Sequence, residues 1–361
     1  MNKPRVKPSS PNFSSGPTKK PDVWSARKLN TNILGRYHRS EYVKEYIENI
    51  FKVLRKTLKI PEDYKFFLTP GSCTGAVESI IWSILGKNKI TTIITDHWGE
   101  QWSSCMKSLN YKVDVRGRVN GKIPYLKKIN SKNDIFFVWT GTTTGISFKD
   151  LNWIKKDHQG LVVSDITSAV FVDEIEWKKV DISAFSWQKA LGSESQHGVI
   201  VMSPKAIKKI KDNTNKIIPK ILDITNLNYP INTPSLLCFS DFEFCLNWYI
   251  KKGGLIWAKN ICKKNKLVLD KWIKKNKFLK YFSSDPTYRS ISSSFFILKN
   301  QKFSNNLINI INYLNYNQIA YDISSYRKSP LGIRIWTGPT IKKKDLIALT
   351  NWLDWCFYKF F

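Results

Sequence analysis

The chain has 361 residues, 42% of them hydrophobic and 14 of them Trp, a composition that excludes a disordered or collagen-like polypeptide and calls for one large domain plus a smaller one. Its formal charge of +30 comes from 58 basic residues, of which only 10 are Arg, spread along the whole sequence. A polyanion reader would cluster its charge and favour the planar Arg fork, so the excess reads as solvated surface and no nucleic-acid partner is expected.

The six cysteines (Cys73, Cys105, Cys238, Cys245, Cys262, Cys356) form no Cys-x-x-Cys pair and have no His partner at metal spacing, so no metal site is expected and they read as reduced packing residues. Residues 1–21 are rich in Pro, Ser and Lys without an apolar run, which does not fit a signal peptide. No segment approaches the roughly 20 apolar residues of a membrane helix. The expected location is the cytoplasm, with no membrane partner.

In chain order, the opening segment through Pro21 predicts an irregular arm, with Gly16-Pro17 as a turn signal. From Ser40, apolar residues recur at helical spacing through Tyr42, Val43, Tyr46, Ile47, Ile50, Phe51, Leu54 and Leu58, predicting an amphipathic helix that ends before Pro61. Apolar runs rich in Ile, Val and Phe follow at Ile90–Thr95, Ile135–Trp139, Leu161–Val163, Ile182–Trp187 and Val199–Met202. Runs without alternation suit strands buried on both faces of a mainly parallel sheet, with ligands beyond the strands' carboxyl ends. The polar residues there are Asp96, Thr140 to Thr144, Asp165 and Gln188-Lys189. After about residue 255 the pattern changes to a long Lys-rich helix, a strand near Ser293–Leu298, a helix near Leu307–Leu314, the strand Gly332–Trp336 and a final helix from Asp345. That is an α+β unit, so the division predicted is 1–255, including the arm, and 256–361.

Two polar residues stand out at those strand ends: Asp165 closes Leu-Val-Val-Ser-Asp, and Lys189 follows in Ser-Trp-Gln-Lys-Ala-Leu-Gly. A pyridoxal-phosphate enzyme needs a lysine for a Schiff base and a carboxylate that keeps the pyridine nitrogen protonated. On spacing alone, a helix-capping Asp and a surface Lys are the commoner readings. Thr69-Pro70-Gly71-Ser72-Cys73-Thr74-Gly75-Ala76-Val77-Glu78 is a small-residue loop running into an apolar helix, an arrangement whose backbone amides bind phosphate. It lacks the Gly-Lys-Ser/Thr ending of a nucleotide loop, which suits a monophosphate better than a triphosphate; taken in isolation, a plain turn into a helix is the alternative.

The segments Asn12-Phe13-Ser14-Ser15-Gly16-Pro17, His38-Arg39-Ser40, Pro70–Glu78, Asp165-Ile166-Thr167-Ser168, Ser186-Trp187-Gln188-Lys189, Asn232-Thr233-Pro234 and Gly332-Ile333-Arg334-Ile335-Trp336 make an ordered set that resembles the phosphoserine aminotransferases. The resemblance covers nearly the whole chain. It implies the α/β fold of the fold-type I transferases: a large domain with a mainly parallel seven-stranded sheet between helices, and a smaller C-terminal α+β domain. It further implies pyridoxal 5'-phosphate as cofactor, L-glutamate and 3-phosphonooxypyruvate as substrates, and a homodimer whose active sites are shared across the interface. The four-carbon analogue used in making vitamin B6 is compatible with the same site.

Carried over position by position, Lys189 matches the lysine that holds the cofactor and Asp165 the carboxylate at its ring nitrogen. Trp98 matches the aromatic stacked on the ring, and Thr142 the partner of its phenolic oxygen, although a neighbour among four threonines could serve. Ser72, Cys73, Thr74 and Gln188 match the phosphate shell, joined by Asn232 and Thr233 from the partner subunit. Some members have Arg where this chain has Thr74, so backbone amides and hydroxyls must do more here. Arg334 matches the ligand of the amino-acid α-carboxylate, and His38, Arg39 and Arg327 the cluster for the substrate phosphate. Seven positions separate Arg327 from Arg334, where a common branch has six, and Tyr326 stands where that branch has His. A cysteine desulfurase on the same fold would need a mobile-loop Cys that this sequence does not offer. A serine–glyoxylate aminotransferase would leave the basic cluster without an anion. A basic binding protein on this scaffold would have no need of Asp165 and Lys189.

Overall fold

The computed structural model describes residues 1–211, 217–225, 233–327 and 329–361. After the arm comes helix α1 (Glu41–Leu58), whose apolar stripe of Val43, Ile47, Ile50, Phe51 and Leu54 is buried. It stops at Lys59, which takes the left-handed conformation and returns its amide to the carbonyls of Arg55 and Lys56. The next elements are β1 (Lys65–Pro70), α2 (Ser72–Ser83), β2 (Ile90–Ile94), α3 (His97–Ser108), β3 (Val113–Gly117) and β4 (Asp134–Val138). A small hairpin, β5 (Thr140–Gly141) and β6 (Ile146–Ser147), precedes β7 (Val162–Asp165), β8 (Ile182–Phe185), β9 (His197–Met202), α4 (Pro204–Lys211) and α5 (Leu236–Lys251). The chain then runs through α6 (Gly254–Lys275), β10 (Leu279–Tyr281), β11 (Ser293–Leu298), α7 (Ser304–Tyr316), β12 (Gly332–Trp336) and α8 (Lys343–Phe360).

Seven strands form one sheet in the order β1-β9-β8-β7-β4-β2-β3. The pairs from β8 through β7, β4 and β2 to β3 are parallel, whereas β9 is antiparallel to both its neighbours. Successive residues serve opposite faces: Phe137, Val162, Phe185 and Val199 join one core, which also takes in α1 and α5. Phe136, Val163, Ala184 and Ile200 join the other, under α2 and α3. Such two-sided burial explains the unbroken apolar runs. The sequence reading located β2, β4, β7, β8 and β9 but not β1 and β3, the two edge strands. β3, Val-Asp-Val-Arg-Gly, has no fully buried residue and pairs on one side alone.

A three-stranded antiparallel sheet, β10-β11-β12, carries a further core with α7, α8 and the second half of α6, whose Leu269, Trp272 and Ile273 belong to it. The first half of α6 instead adds Ala258 and Cys262 to the core under α1 and α5. The arm has the irregular course expected of it and is bonded along its length. Phe13 is part of the C-terminal core, and its carbonyl accepts from the Trp336 amide at 2.9 Å. Ser9 bonds the Asp345 carboxylate at 2.8 Å through its amide. Beyond the cis Gly16-Pro17 peptide, the Thr18 amide reaches the Gln188 carbonyl at 3.3 Å, and Lys20 and Trp24 both donate to the buried Asp241. The arm thereby passes directly over the chain around Lys189. No helix among the described residues is long and apolar enough to cross a membrane.

Candidate active site

The parallel strands deliver their polar ends to one cleft, lined by Ser72, Cys73, Thr74, Trp98, Trp102, Val138, Thr140, Asp165, Thr167, Ser168, Gln188 and Lys189. Asp165 is the last residue of β7 and is buried, and one of its carboxylate oxygens accepts from the Thr167 amide at 3.0 Å. Lys189 follows β8, with Nζ donating to Ser168 Oγ at 2.9 Å and to Thr142 Oγ1 at 3.1 Å. Burial of the amine pushes its pKa below the ordinary lysine value, against the pull of Asp165, and the charge of Arg334 adds to the lowering. The arm closes this side of the cleft: a methyl group on Gly16 would stand 3.6 Å from Lys189 Cε.

Opposite, Gly71 and Ser72 take left-handed conformations that turn the chain from β1 into α2. The Ser72 amide donates to the Gln196 carbonyl at 3.1 Å and the Gly75 amide to that of Gly71 at 3.0 Å, while the amides of Cys73 and Thr74 have no backbone partner among the described residues. This first turn sits directly on β9. A methyl on Gly198 would lie 2.2 Å from the Ser72 carbonyl oxygen, and one on Gly75 would lie 1.8 Å from that of Pro70. Burial and the nearby Asp165 charge push the Cys73 thiol well above its ordinary pKa, so it is a neutral packing group.

Asp96 caps α3, accepting from the Gly99 amide at 3.0 Å and from the Thr143 hydroxyl at 3.3 Å. Burial, reinforced by Asp165, raises its pKa to about 6, although the Gly99 bond and Lys189 oppose the shift. The cap sets the course of α3 and with it Trp98, whose ring lies 5.8 Å from Trp102 and 5.7 Å from Tyr326. Arg334, on β12, is not part of the cleft lining. Tyr326 nevertheless joins it to the same corner, with the Arg334 and Arg327 guanidinium groups 5.7 and 5.2 Å from the Tyr326 ring.

Of the residues expected from the sequence, Ser72, Cys73, Thr74, Trp98, Asp165, Gln188 and Lys189 meet in the cleft, and Thr142 touches Lys189. His38 and Arg39 are not in its lining: they lie in the turn before α1, where Arg39 Nε donates to His38 Nε2 at 3.2 Å. Thr233 is exposed, two residues before the Ser235 cap of α5. Asn232 lies outside the described residues. The sequence reading gave no role to Ser168, although it stands in the quoted Asp165–Ser168 segment. Nor did it give one to Tyr326, noted there as a departure.

No protein-family model matches the chain. Over 367 aligned residues it is 36% identical to the phosphoserine aminotransferase of Methanosarcina barkeri, covering 98% of this chain and 99% of that one. The chain belongs to the phosphoserine aminotransferase family. Like that family it is a pyridoxal-phosphate-dependent aminotransferase of fold type I. The pyridoxal-phosphate-bound phosphoserine aminotransferase of Trichomonas vaginalis superposes with a TM-score of 0.78 at 18% identity, covering 96% of this chain and 99% of that one. The ureidoglycine–glyoxylate aminotransferase of Bacillus subtilis superposes as well, with a TM-score of 0.80 at 13% identity and coverages of 98% and 94%. The fold alone therefore does not separate a phosphoserine aminotransferase from its glyoxylate-using neighbours. The cleft itself fits the cofactor: a half-buried amine and a buried carboxylate in one lining, a wall containing Trp98, and a helix turn whose amides of Cys73 and Thr74 have no backbone partner among the described residues.

Proposed function

We propose that this cleft transfers the amino group of L-glutamate to 3-phosphonooxypyruvate, giving O-phospho-L-serine and 2-oxoglutarate. The observation that carries the reading is the meeting of the Lys189 amine and the Asp165 carboxylate in one cleft, with the charge of the Arg334 guanidinium bearing on the same lysine. Pyridoxal phosphate, when bound, supplies an electron sink for the charge that develops at the substrate α-carbon. Lys189 would hold the cofactor and then carry the proton between the substrate α-carbon and the cofactor's C4′ carbon; its lowered pKa keeps more of the amine neutral and able to act as a base. Asp165 would keep a proton on the pyridine nitrogen. Trp98 would stack on the ring, Thr142 would bond its phenolic oxygen, and Ser72, Cys73, Thr74 and Gln188 would hold the phosphate. Arg334 would clamp the α-carboxylate through two parallel hydrogen bonds.

The phosphate end of the keto acid would be taken by Arg327 together with His38 and Arg39. Since His38 and Arg39 are not in the lining of the Lys189 cleft of their own chain, a two-fold homodimer in which they, Asn232 and Thr233 complete the partner's site would account for all four. In this reading the division into 1–255 and 256–361 falls at the start of α6, and the arm, bonded to both units, spans them. A cytoplasmic location agrees with the six free cysteines. Use of the four-carbon phosphorylated substrate of pyridoxine synthesis belongs to the same proposal. The test is a coupled assay of the purified protein with glutamate and 3-phosphonooxypyruvate beside glutamate and glyoxylate. Turnover confined to the phosphorylated acceptor is expected, and preference for glyoxylate would overturn the substrate assignment.

A further inference from the structure

Tyr326 touches both halves of the site. One side of its neighbourhood is aromatic: its ring lies 5.7 Å from Trp98 at 35°, and Trp98 lies 5.8 Å from Trp102 at 27°. Trp102 is fully buried against the core under α2 and α3, which anchors this three-ring series. The other side is cationic, with the guanidinium carbons of Arg327 and Arg334 at 5.2 and 5.7 Å from the ring centre. No ion pair among the described residues involves either arginine. Arg334 Nε is buried and has no hydrogen-bond partner among the described residues. A cation deprived of water is costly unless another group replaces its hydration. The negative face of the Tyr326 ring is such a group. Asp322, two residues after Ala320 in the same segment, also acts on the Arg334 charge and is exposed. Without the ring, the guanidinium would be free to turn toward that carboxylate.

We propose that Tyr326 is a positioning residue whose ring, not its hydroxyl, holds Arg334 where a substrate carboxylate meets it and ties that arginine to Trp98. The inference rests on the reading of Arg334 as the carboxylate ligand. It concerns binding geometry, so it can be read without turnover. Glutarate, a dicarboxylate with no amino group to transfer, is titrated calorimetrically into the holoenzyme and into four variants, and the cofactor's visible circular dichroism is recorded.

Loss of one cation–ring contact predicts about a 5- to 30-fold weaker glutarate affinity in Tyr326→Ala, with Tyr326→Phe within about twofold of wild type. The dichroism of the Ala variant should change as Trp98 loses a neighbour. Tyr326→Leu keeps bulk without a π face and should behave like Ala, which decides the question if the Ala variant does not fold. Wild-type affinity in Tyr326→Leu, or equal damage in Tyr326→Phe, would overturn the inference. Arg334→Lys separates the two layers of the argument. If it leaves glutarate binding unchanged, the carboxylate assignment itself falls. If it weakens binding while Tyr326→Leu does not, only the role of Tyr326 falls.

Discussion

Gly198→Ala tests the cofactor cradle without touching any side chain of the cleft. Gly198 lies on β9, opposite Thr69 of β1, with the first turn of α2 resting on it. The added methyl would stand 2.2 Å from the Ser72 carbonyl oxygen, 2.7 Å from Ala76 Cβ and 2.8 Å from Thr69 Oγ1. A relaxed contact needs about 3.5 Å, so the turn and the strand must part by roughly 1 Å. Two of the three obstructing atoms belong to the backbone or to a Cβ, so rotamer changes cannot relieve the clash. Overpacking of this kind costs about 1–3 kcal/mol of stability. The same displacement would move the amides of Cys73 and Thr74 away from the phosphate they are proposed to hold, and a loss of about 1.4 kcal/mol there would weaken cofactor binding tenfold. The assay is titration of pyridoxal phosphate into apoprotein, followed by tryptophan fluorescence, beside denaturant unfolding of the apoprotein. A folded variant with lowered stability and at least the tenfold loss of affinity is expected. Unchanged affinity in a destabilised variant would refute the placement of the phosphate on this turn.

His197 predicts a pH dependence. Burial holds its imidazole at about 4, and Nε2 accepts the Ser235 amide at 3.0 Å. Its folded-state pKa lies below the unfolded value, so its contribution is fully present above about pH 6.5 and is lost as the pH falls toward 4, up to roughly 3 kcal/mol in all. His197→Phe keeps a ring beside Trp187 and Phe239 but cannot titrate. The stability gap between wild type and variant in urea unfolding should therefore shrink across that window, and parallel curves would refute the assignment. Arg39→Ala should raise the KM for 3-phosphonooxypyruvate about 10- to 100-fold and change that for glutamate far less; equal effects on both would point to a folding role. Mixing Lys189→Ala with a variant carrying acidic residues at Asn232 and Thr233 should restore roughly a quarter of the active sites after subunit exchange. No recovery despite exchange confirmed by size measurement would remove the shared-site dimer.

The two-sided strands were legible in the sequence because burial on both faces leaves short runs rich in Ile, Val and Phe without apolar–polar alternation. The edge strands were not: in Val113–Gly117 the alternation of Val with Asp and Arg mirrors one-sided pairing, and in Lys65–Pro70 the run leads straight into a loop that attracts attention for its small residues. Asp165 and Lys189 could be picked out because each ends a buried run with a polar side chain. The Ser168 hydroxyl that holds Lys189 leaves no such signal, since one Ser beside a strand end is compatible with a turn, a cap or a ligand. Tyr326 was visible only as a substitution, because its contact with Trp98 joins residues more than two hundred positions apart. His38 and Arg39, which the sequence names, are absent from the cleft lining of their own chain, and their proposed role depends on a second chain.

The central claim is that Lys189 carries the cofactor, and reduction tests it most directly. The purified protein, treated with borohydride and digested, is mapped by mass spectrometry for the lysine bearing a reduced pyridoxyl phosphate group. The account predicts the modification on Lys189 alone, with the cofactor's visible absorption bleached in step and no modified peptide from Lys189→Ala. A modified peptide from any other lysine, or a coloured protein that yields no adduct at Lys189, would contradict it.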